Sequence, residues 1–502
     1  MNEKCHHLII ILLIFLLISS SHQIFVSQSI SEETNEYEFI IISPSAFTDA
    51  LQPLISHKKD NRISTKIVTV EELYSGDWPV SNPQIGRDDA ETIKFFLRES
   101  VKQWNTEYVM LVGGKEEVPV RYARINTNYS SSHPQLFHYF FQGLPDFMQM
   151  INRYISDLYY ADLFFENGSF CSWDTNNNMQ FAEKNEVEQI DLVDIYPDIA
   201  VGRLLCTSVD EVHTVVNKII NYETDQNPDA TWKKNVTVCG GDTHSLWRDL
   251  LIKIAYPTEY EANIAWEGEY MGDKVTEILN EYDATKVYTT KLSNENRMLV
   301  SRENINNAIN QGCHFLFMAG HGYPQAWGTH PPSVFGKIWL PGPIFDPLLY
   351  RVEDVKQLSN QEKLPVAVIS ACSCGDFNDT ADPIAWTFVE HEHGGSIASF
   401  ACSTLGTLLP TTLSEKTLNG KLALGVFNAY NDGNKHVGDL WVESITRYVN
   451  DPVAMDLGSF GGVFWLNQFN LEEWILFGDP TLEINGNYQM NSSQPNKLRN
   501  LF

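Results

Sequence analysis

The stretch FLFMAGHG, from Phe315 to Gly322, is an apolar run that leads into a histidine between two glycines. The stretch VAVISAC, from Val366 to Cys372, has the same form but leads into a cysteine. Continuous apolar runs of this length are typical of strands buried on both faces of a parallel sheet. Catalytic groups of such sheets gather beyond the carboxyl ends of the strands. The two stretches therefore predict neighbouring strands that carry His321 and Cys372 at one edge.

Similar apolar runs alternate with segments of helical spacing along most of the chain. The runs that predict further strands begin near Phe39, Thr65, Tyr108, Ile199, Val236 and Ser396. Such alternation is the signature of strand–helix–strand units around a parallel sheet. The fold class is therefore α/β, with two adjacent α/β subdomains whose mainly parallel sheets are flanked by helices.

The boundaries of these units follow from changes in pattern. The N-terminal α/β subdomain is predicted at 37–125 and the catalytic α/β subdomain at 195–485. Residues 126–194 are rich in aromatic residues, Asn and Asp without a clear period, so we expect an irregular insertion there. Residues 486–502 are polar and are expected to form a tail.

Charge and composition limit the classes of partner. The chain has 502 residues, with 35 Lys and Arg against 64 Asp and Glu, a net charge of −29. A hydrophobic content of 43% is typical of a globular protein and excludes wholesale disorder. A surface this acidic is repelled by polyphosphate, so nucleic acid is not an expected partner.

The N-terminus predicts the secretory route. Lys4 precedes an apolar run from Leu8 to Ile18, and the pattern indicates a signal peptide at 1–22. The run is too short to span a bilayer, and we expect no membrane span after cleavage. A secreted protein or one in an endolysosomal or vacuolar lumen is expected. Five Asn-x-Ser/Thr sequons agree with this route, at Asn128, Asn167, Asn235, Asn378 and Asn491.

A histidine and a cysteine at adjacent strand ends suit thiol acyl transfer. Imidazole takes the thiol proton, and the ionised sulfur is a strong nucleophile. Taken singly, each residue is more often structural, the histidine as a satisfied core group and the cysteine as a buried hydrophobe. Their joint position beside glycines favours a catalytic dyad. Seven cysteines remain beyond the predicted signal, an odd number that leaves room for one free thiol.

Three motifs together resemble the gingipain family of cysteine peptidases, which has a caspase-like fold. They are Ala319-Gly320-His321-Gly322, Ala371-Cys372-Ser373-Cys374-Gly375-Asp376-Phe377 and the closing Phe477-Gly478-Asp479-Pro480-Thr481-Leu482. The resemblance implies Cys372 as nucleophile, His321 as general base and then acid, and Asp242 as the acid that orients the histidine. It implies an oxyanion hole made by the N–H groups of Gly322 and Cys372. Cys374 is the rival nucleophile.

The residues that would select the substrate side chain before the scissile bond match the family less well. Family members that cleave after arginine have a carboxylate at the base of the pocket, and Gly268 occupies the matching position here. Its neighbours Glu267 and Glu269 are the candidate substrate-binding residues, and an exposed charged loop is the alternative. Trp327, in the motif after His321, is a further substrate-binding candidate. The family's aromatic pocket wall is missing near Cys402.

Metal chemistry is a weaker alternative. No His-Glu-x-x-His motif of a zinc peptidase occurs in the chain. Oxygen ligands do alternate at Asp174, Asn176 and Asn178, with Glu183 nearby, as in calcium loops. We expect no required cofactor and allow a structural Ca²⁺ at this loop.

The residues thus predict a secreted cysteine endopeptidase that hydrolyses peptide bonds of a protein or peptide substrate through a His–Cys dyad and a thioester acyl-enzyme. Two alternatives stay open. The same dyad suits a transpeptidase or transamidase that passes the acyl group to an amine. A catalytically inactive secreted binding protein on a peptidase fold is the other. The oligomeric state is open.

Overall fold

The computed structural model describes ten segments of the chain, which are 36–126, 152–185, 189–225, 231–243, 266–290, 297–331, 349–380, 382–408, 411–458 and 465–484. The predicted signal peptide, the polar tail and the sequons at Asn128 and Asn491 lie outside these segments. No helix in the described part of the chain combines the length and the apolar character needed to cross a membrane.

Seventeen strands are found in these segments. They are β1 (Phe39–Ser43), β2 (Thr65–Thr69), β3 (Tyr108–Val112), β4 (Tyr122–Asn126), β5 (Arg153–Ile155), β6 (Phe181–Asn185), β7 (Ala200–Leu204), β8 (Asn235–Gly240), β9 (Asp283–Tyr288), β10 (Arg297–Leu299), β11 (Phe315–Ala319), β12 (His321–Tyr323), β13 (Ala326–Gly328), β14 (Leu349–Arg351), β15 (Val366–Ser370), β16 (Ala398–Cys402) and β17 (Trp474–Phe477).

The α-helices of the described segments complete the inventory. They are α1 (Thr48–Asp60), α2 (Val70–Ser75), α3 (Asp89–Trp104), α4 (Leu158–Ala161), α5 (Val209–Thr224), α6 (Glu267–Ile278), α7 (Arg302–Gln311), α8 (Val352–Val355), α9 (Ile384–Glu390), α10 (Leu418–Asn431), α11 (Val437–Val449), α12 (Pro452–Gly458) and α13 (Trp465–Glu472).

Eleven strands form one sheet in the order β10-β9-β8-β11-β15-β16-β17-β7-β3-β1-β2. Every neighbouring pair in it is parallel except β16 and β17. The sheet therefore has two internally parallel halves that run in opposite directions. This confirms the predicted α/β fold of two adjacent parallel parts, and it adds that their strands join in a single sheet.

Burial explains why the quoted stretches become strands. All five residues of β11, of β15 and of β16 are buried, as expected where helices cover both faces of a sheet. The two strands predicted from the opening stretches begin at Phe315 and Val366, as their apolar runs do. They pair in parallel along their whole length.

The insertion is more regular than its sequence indicates. Its strands β5 and β6 pair on either side of β4 in a separate three-stranded sheet. These strands are short, and the β4–β6 register shifts between Ala123 and Ile125, so no long alternation appears in the sequence. The Ser403 hydroxyl donates to the Ile155 carbonyl at 2.6 Å, and the Tyr122 hydroxyl donates to the Asn378 side chain at 2.7 Å. The three-stranded sheet that contains the insertion's strands therefore borders the loops that follow β15 and β16.

The closing Gly-Asp-Pro motif is held by a buried cation. Lys58 of α1 lies 2.7 Å from Glu223 of α5 and 2.8 Å from Asp479, and all three side chains are fully buried. Burial alone lowers the pKa of Lys58, but the two carboxylates outweigh it and raise that pKa. Only glycine fits at position 202 of β7, because a Cβ there would overlap the carbonyl oxygen of Gly478. The motif is thus fixed to the N-terminal half of the sheet.

Replacement of Lys58 tests this anchor. Lys58→Met removes the cation shared by two buried carboxylates, of which Glu223 keeps His57 at 2.8 Å, and costs about 3–5 kcal/mol of unfolding free energy. Urea unfolding at neutral pH measures this loss, which should shrink as the pH falls and the carboxyl groups take up protons.

Lys421→Met is the matched control for this measurement. It removes a lysine that lies 2.8 Å from Asp451 with both side chains partly exposed. Pairs of that kind contribute about 0–1 kcal/mol. An equal loss of stability in both variants contradicts the anchoring role of Lys58.

Candidate active site

The register of three adjacent strands brings the predicted dyad together. Ala319 of β11 is paired with Ser370 of β15 on one side and with Gly240 of β8 on the other. His321, Cys372 and Asp242 each follow two residues beyond this common level. The structure therefore places all three at the same carboxyl edge of one half of the sheet, as the sequence predicts.

The backbone segments that carry the histidine and the cysteine are in direct contact. A Cβ at residue 322 would overlap the carbonyl oxygen of Cys372 and would lie 2.6 Å from the sulfur of Cys374. Only glycine allows this approach. The N–H groups of Gly322 and Cys372 are therefore carried by adjoining segments. Their role as an oxyanion hole stays a prediction.

His321 lies on a short hairpin. It belongs to β12, which pairs antiparallel with β13, so that His321 is opposite Gly328. The half-buried imidazole stacks on the ring of His330, with 6.1 Å between centroids and 23° between planes. His330 thus packs against the ring of the predicted base, and the sequence did not single it out.

The Cys372 side chain is half-buried, and its sulfur donates to the carbonyl oxygen of Gly406 at 3.5 Å. Burial, with a smaller contribution from nearby Glu473, raises the pKa of this thiol to about 12. The next residue, Ser373, has a positive φ of 53°, and its N–H donates to the Thr404 carbonyl. A left-handed residue other than glycine is uncommon and indicates a sharp turn of the backbone just after Cys372.

Cys374, the rival nucleophile, is fully buried. Its sulfur faces the carbonyl oxygen of Ala326 at 3.8 Å, and burial raises its pKa further above the usual value. Cys171, Cys206, Cys239, Cys313 and Cys402 are also buried, and all seven cysteines of the described segments are free thiols. Cys372 alone among these seven has a partly exposed side chain, as a nucleophile needs.

Asp242 is fully buried at the end of β8. The Asp242 backbone N–H donates to the His330 carbonyl at 3.0 Å. The Asp242 carbonyl accepts a hydrogen bond from the Thr329 hydroxyl at 3.2 Å. Asp242 is thereby tied to the segment whose histidine stacks on His321. Its predicted role in orienting that ring stays a prediction.

The predicted specificity residues lie around the first turn of α6. Glu269 accepts hydrogen bonds from Thr289, Thr290 and Arg297, the last at 3.2 Å, so its carboxylate is bound inside the protein. Glu267 is buried and accepts from the Thr243 hydroxyl at 3.0 Å. Gly268 between them contacts the carbonyl oxygens of Gly241 and Ala319, which leaves no space for a side chain.

Trp327 is fully buried on β13, where its indole lies against Gly320. The ring therefore supports the segment before His321 from inside. Contact with a substrate, the role predicted for Trp327, would require this ring to become accessible.

The loop with the predicted calcium ligands is closed by its own hydrogen bonds. Asp174 lies 2.6 Å from Arg87, and it accepts from the N–H groups of Asn178 and Met179. Glu183 accepts from the side chains of Asn176 and Asn178. Among the described residues no group of three or more His, Cys, Asp or Glu side chains is arranged to hold a metal ion. Calcium at this loop stays a prediction.

Two further residues near the cysteine escaped the sequence analysis. Glu473 directly precedes β17 and is fully buried, and burial raises the pKa of its carboxyl group well above the usual range. Tyr323, at the end of β12, is 41% exposed. The spacing from His321 to Tyr323 was a possible signal, because alternate residues of a strand share a face.

Comparisons with known proteins identify the family and the fold. A model of peptidase family C25 matches residues 32–485. Gingipain R2 of Porphyromonas gingivalis is 21% identical over 349 residues, which are 69% of this chain and 33% of that protein. Gingipain R1 of the same organism is 28% identical over 185 residues, which are 37% of this chain and 15% of that protein. The chain thus matches a third or less of the length of these relatives.

Solved structures show the same fold at low identity. The Arg-specific cysteine proteinase gingipain R superposes with a TM-score of 0.57 at 16% identity, over 90% of this chain and 79% of the other. The complex of the pro- and mature domains of RgpB from Porphyromonas gingivalis gives a TM-score of 0.56 at 17% identity, over 89% and 79%. The fold is therefore the caspase-like fold of these enzymes. Because the family model extends over nearly all of the described residues, the chain belongs to peptidase family C25, the cysteine peptidase family of the gingipains.

Proposed function

We propose that the protein is a secreted endopeptidase in which Cys372 and His321 act as a dyad on protein or peptide substrates. One observation carries the proposal. Gly240, Ala319 and Ser370 are paired across β8, β11 and β15, and Asp242, His321 and Cys372 each follow two residues later. Family membership supports thiol chemistry, and the partial exposure of Cys372 among buried cysteines supports it as nucleophile.

The raised pKa of Cys372 defines the first step. A thiol whose pKa is about 12 is neutral at pH 7, so its proton must leave as the sulfur attacks the peptide carbonyl. His321 accepts that proton and then gives it to the leaving amine when the C–N bond breaks. Water attacks the resulting thioester, transfers a proton back through His321 and releases the carboxylic acid and the free thiol.

Secretion is part of the same proposal. It rests on the apolar run from Leu8 to Ile18 and on the sequons, of which Asn167 is exposed on a turn. Asn235 is an unsuitable acceptor because its amide donates to the Gly312 carbonyl at 3.1 Å beside β8.

Substitution of the two neighbouring cysteines tests the assignment of the nucleophile. Cys372→Ala should abolish peptide hydrolysis and labelling by an electrophilic peptide probe, because no accessible thiol is left at the strand end. Cys374→Ala, the matched control two residues away, should keep both. Mass spectrometry of the labelled protein locates the adduct. Hydrolysis by Cys372→Ala, or an unlabelled wild-type protein, contradicts the proposal, and the second result favours the inactive binding protein.

The pH dependence of alkylation tests the state of the thiol. Since the pKa of Cys372 is raised, the thiolate fraction is small below that value and grows about tenfold with each pH unit. Iodoacetamide should therefore modify the protein about a hundredfold faster at pH 9 than at pH 7. Cys372→Ala gives the background from the buried thiols. A rate that levels off near pH 7 would show a preformed thiolate instead.

Gly322 offers a test of the contact between the two segments. In Gly322→Ala the added methyl group overlaps the Cys372 carbonyl, so the segments must separate. We expect the rate of probe labelling to fall at least about tenfold, since small displacements of reacting groups are costly. Gly114→Ala is the control, because its methyl group would meet the end of the flexible Glu117 side chain at 3.1 Å and the Thr207 methyl group at an ordinary 3.8 Å. Labelling of Gly322→Ala at the wild-type rate contradicts the predicted contact.

A further inference from the structure

Tyr323 has an unusual position for a large aromatic residue. Its side chain is 41% exposed, although it follows the buried end of β11 by only four residues. It is the last residue of β12, and His321 is the first. Because alternate side chains of a strand point to the same face, Tyr323 and His321 share one face of the hairpin.

The backbone around Tyr323 adjoins the segment that carries Cys372. The preceding residue, Gly322, is in contact with the Cys372 carbonyl. The Tyr323 N–H faces the sulfur of Cys374. Burial raises the pKa of the Tyr323 phenol, and the neighbouring Cys372 raises it further.

The hairpin that presents the ring is fixed at its turn. The Ile384 N–H donates to the Pro324 carbonyl at 2.6 Å, and the Val352 N–H donates to the Gln325 carbonyl at 3.2 Å. These bonds tie the turn to the starts of α9 and α8. A ring on a rigid support makes contacts at low entropic cost, which is how subsites discriminate between side chains.

The chemistry of the reaction decides which part of a substrate meets this face. His321 gives its proton to the leaving amine, so the substrate segment after the scissile bond must lie on the face of the hairpin that carries the imidazole. That face also carries Tyr323. We propose that Tyr323 forms the wall of the subsite for the residue directly after the scissile bond, and that this subsite prefers an apolar or aromatic side chain. The inference rests on the proposed function.

The experiment compares peptides that share the sequence before the cut and have Phe, Leu or Gly directly after it. The wild-type protein should cleave the Phe and Leu peptides with a kcat/KM about 3- to 10-fold higher than the Gly peptide, the range expected for one aromatic contact. Tyr323→Ala should remove this difference, and Tyr323→Phe should keep it because the ring remains. Leu299→Ala, which truncates a 48% exposed side chain on β10, is a control for loss of any exposed apolar group.

A peptidyl probe with no residue after its electrophilic carbon separates the subsite from the catalytic step. All three variants should react with it at the wild-type rate, because the probe leaves the proposed subsite empty. Slower labelling of Tyr323→Ala by the probe, or an unchanged preference in that variant, overturns the inference. A wild-type protein that is labelled and cleaves without preference also overturns it and leaves the proposed function intact. A wild-type protein that neither reacts with the probe nor cleaves any peptide overturns the proposed function and this inference with it.

Discussion

The hydrogen bonding of β17 to both halves of the sheet is the constraint on which the architecture depends. This strand is antiparallel to β16 and parallel to β7, so it marks the line where the direction of the sheet reverses. Without it the two parallel halves would each expose an unpaired strand edge. Because of the reversal, the carboxyl ends of the two halves face opposite ways. The proposed dyad therefore lies at the edge formed by β8, β11 and β15, while the other half supplies support through Lys58, Glu223 and Asp479.

The site itself depends on equal register and on small residues. Three neighbouring strands end at one level, and each delivers a functional side chain two residues later. The backbone can then bring the segments into contact only where side chains are absent, as at Gly322. Gly268 likewise lacks a side chain where the first turn of α6 packs against the ends of β8 and β11. The arrangement of the candidate site therefore depends on close backbone contacts as well as on the side chains themselves.

The sequence predicted those parts whose signal is local. The apolar runs beginning at Phe315 and Val366 are buried strands, and the positions of His321 and Cys372 follow from where the runs end. Contacts between distant residues could not be read in the same way. Nothing near Glu269 indicates that Arg297 binds its carboxylate, and Lys58 is separated from Asp479 by most of the chain. The β12–β13 hairpin has strands of three residues, too short for a period to appear, so the stacking of His330 on His321 was invisible.

The burial of the cysteines bears on how the protein responds to oxidants. Of the seven thiols in the described segments, six are buried and Cys372 is half-buried. Peroxide acts on accessible thiolates, so oxidative damage should concentrate on Cys372, the proposed nucleophile, while the sulfur atoms of the core stay reduced. A thiol that is neutral at pH 7 is also a slow target, because the neutral form resists oxidation. The same desolvation that keeps the Cys372 thiol protonated therefore also slows its oxidation.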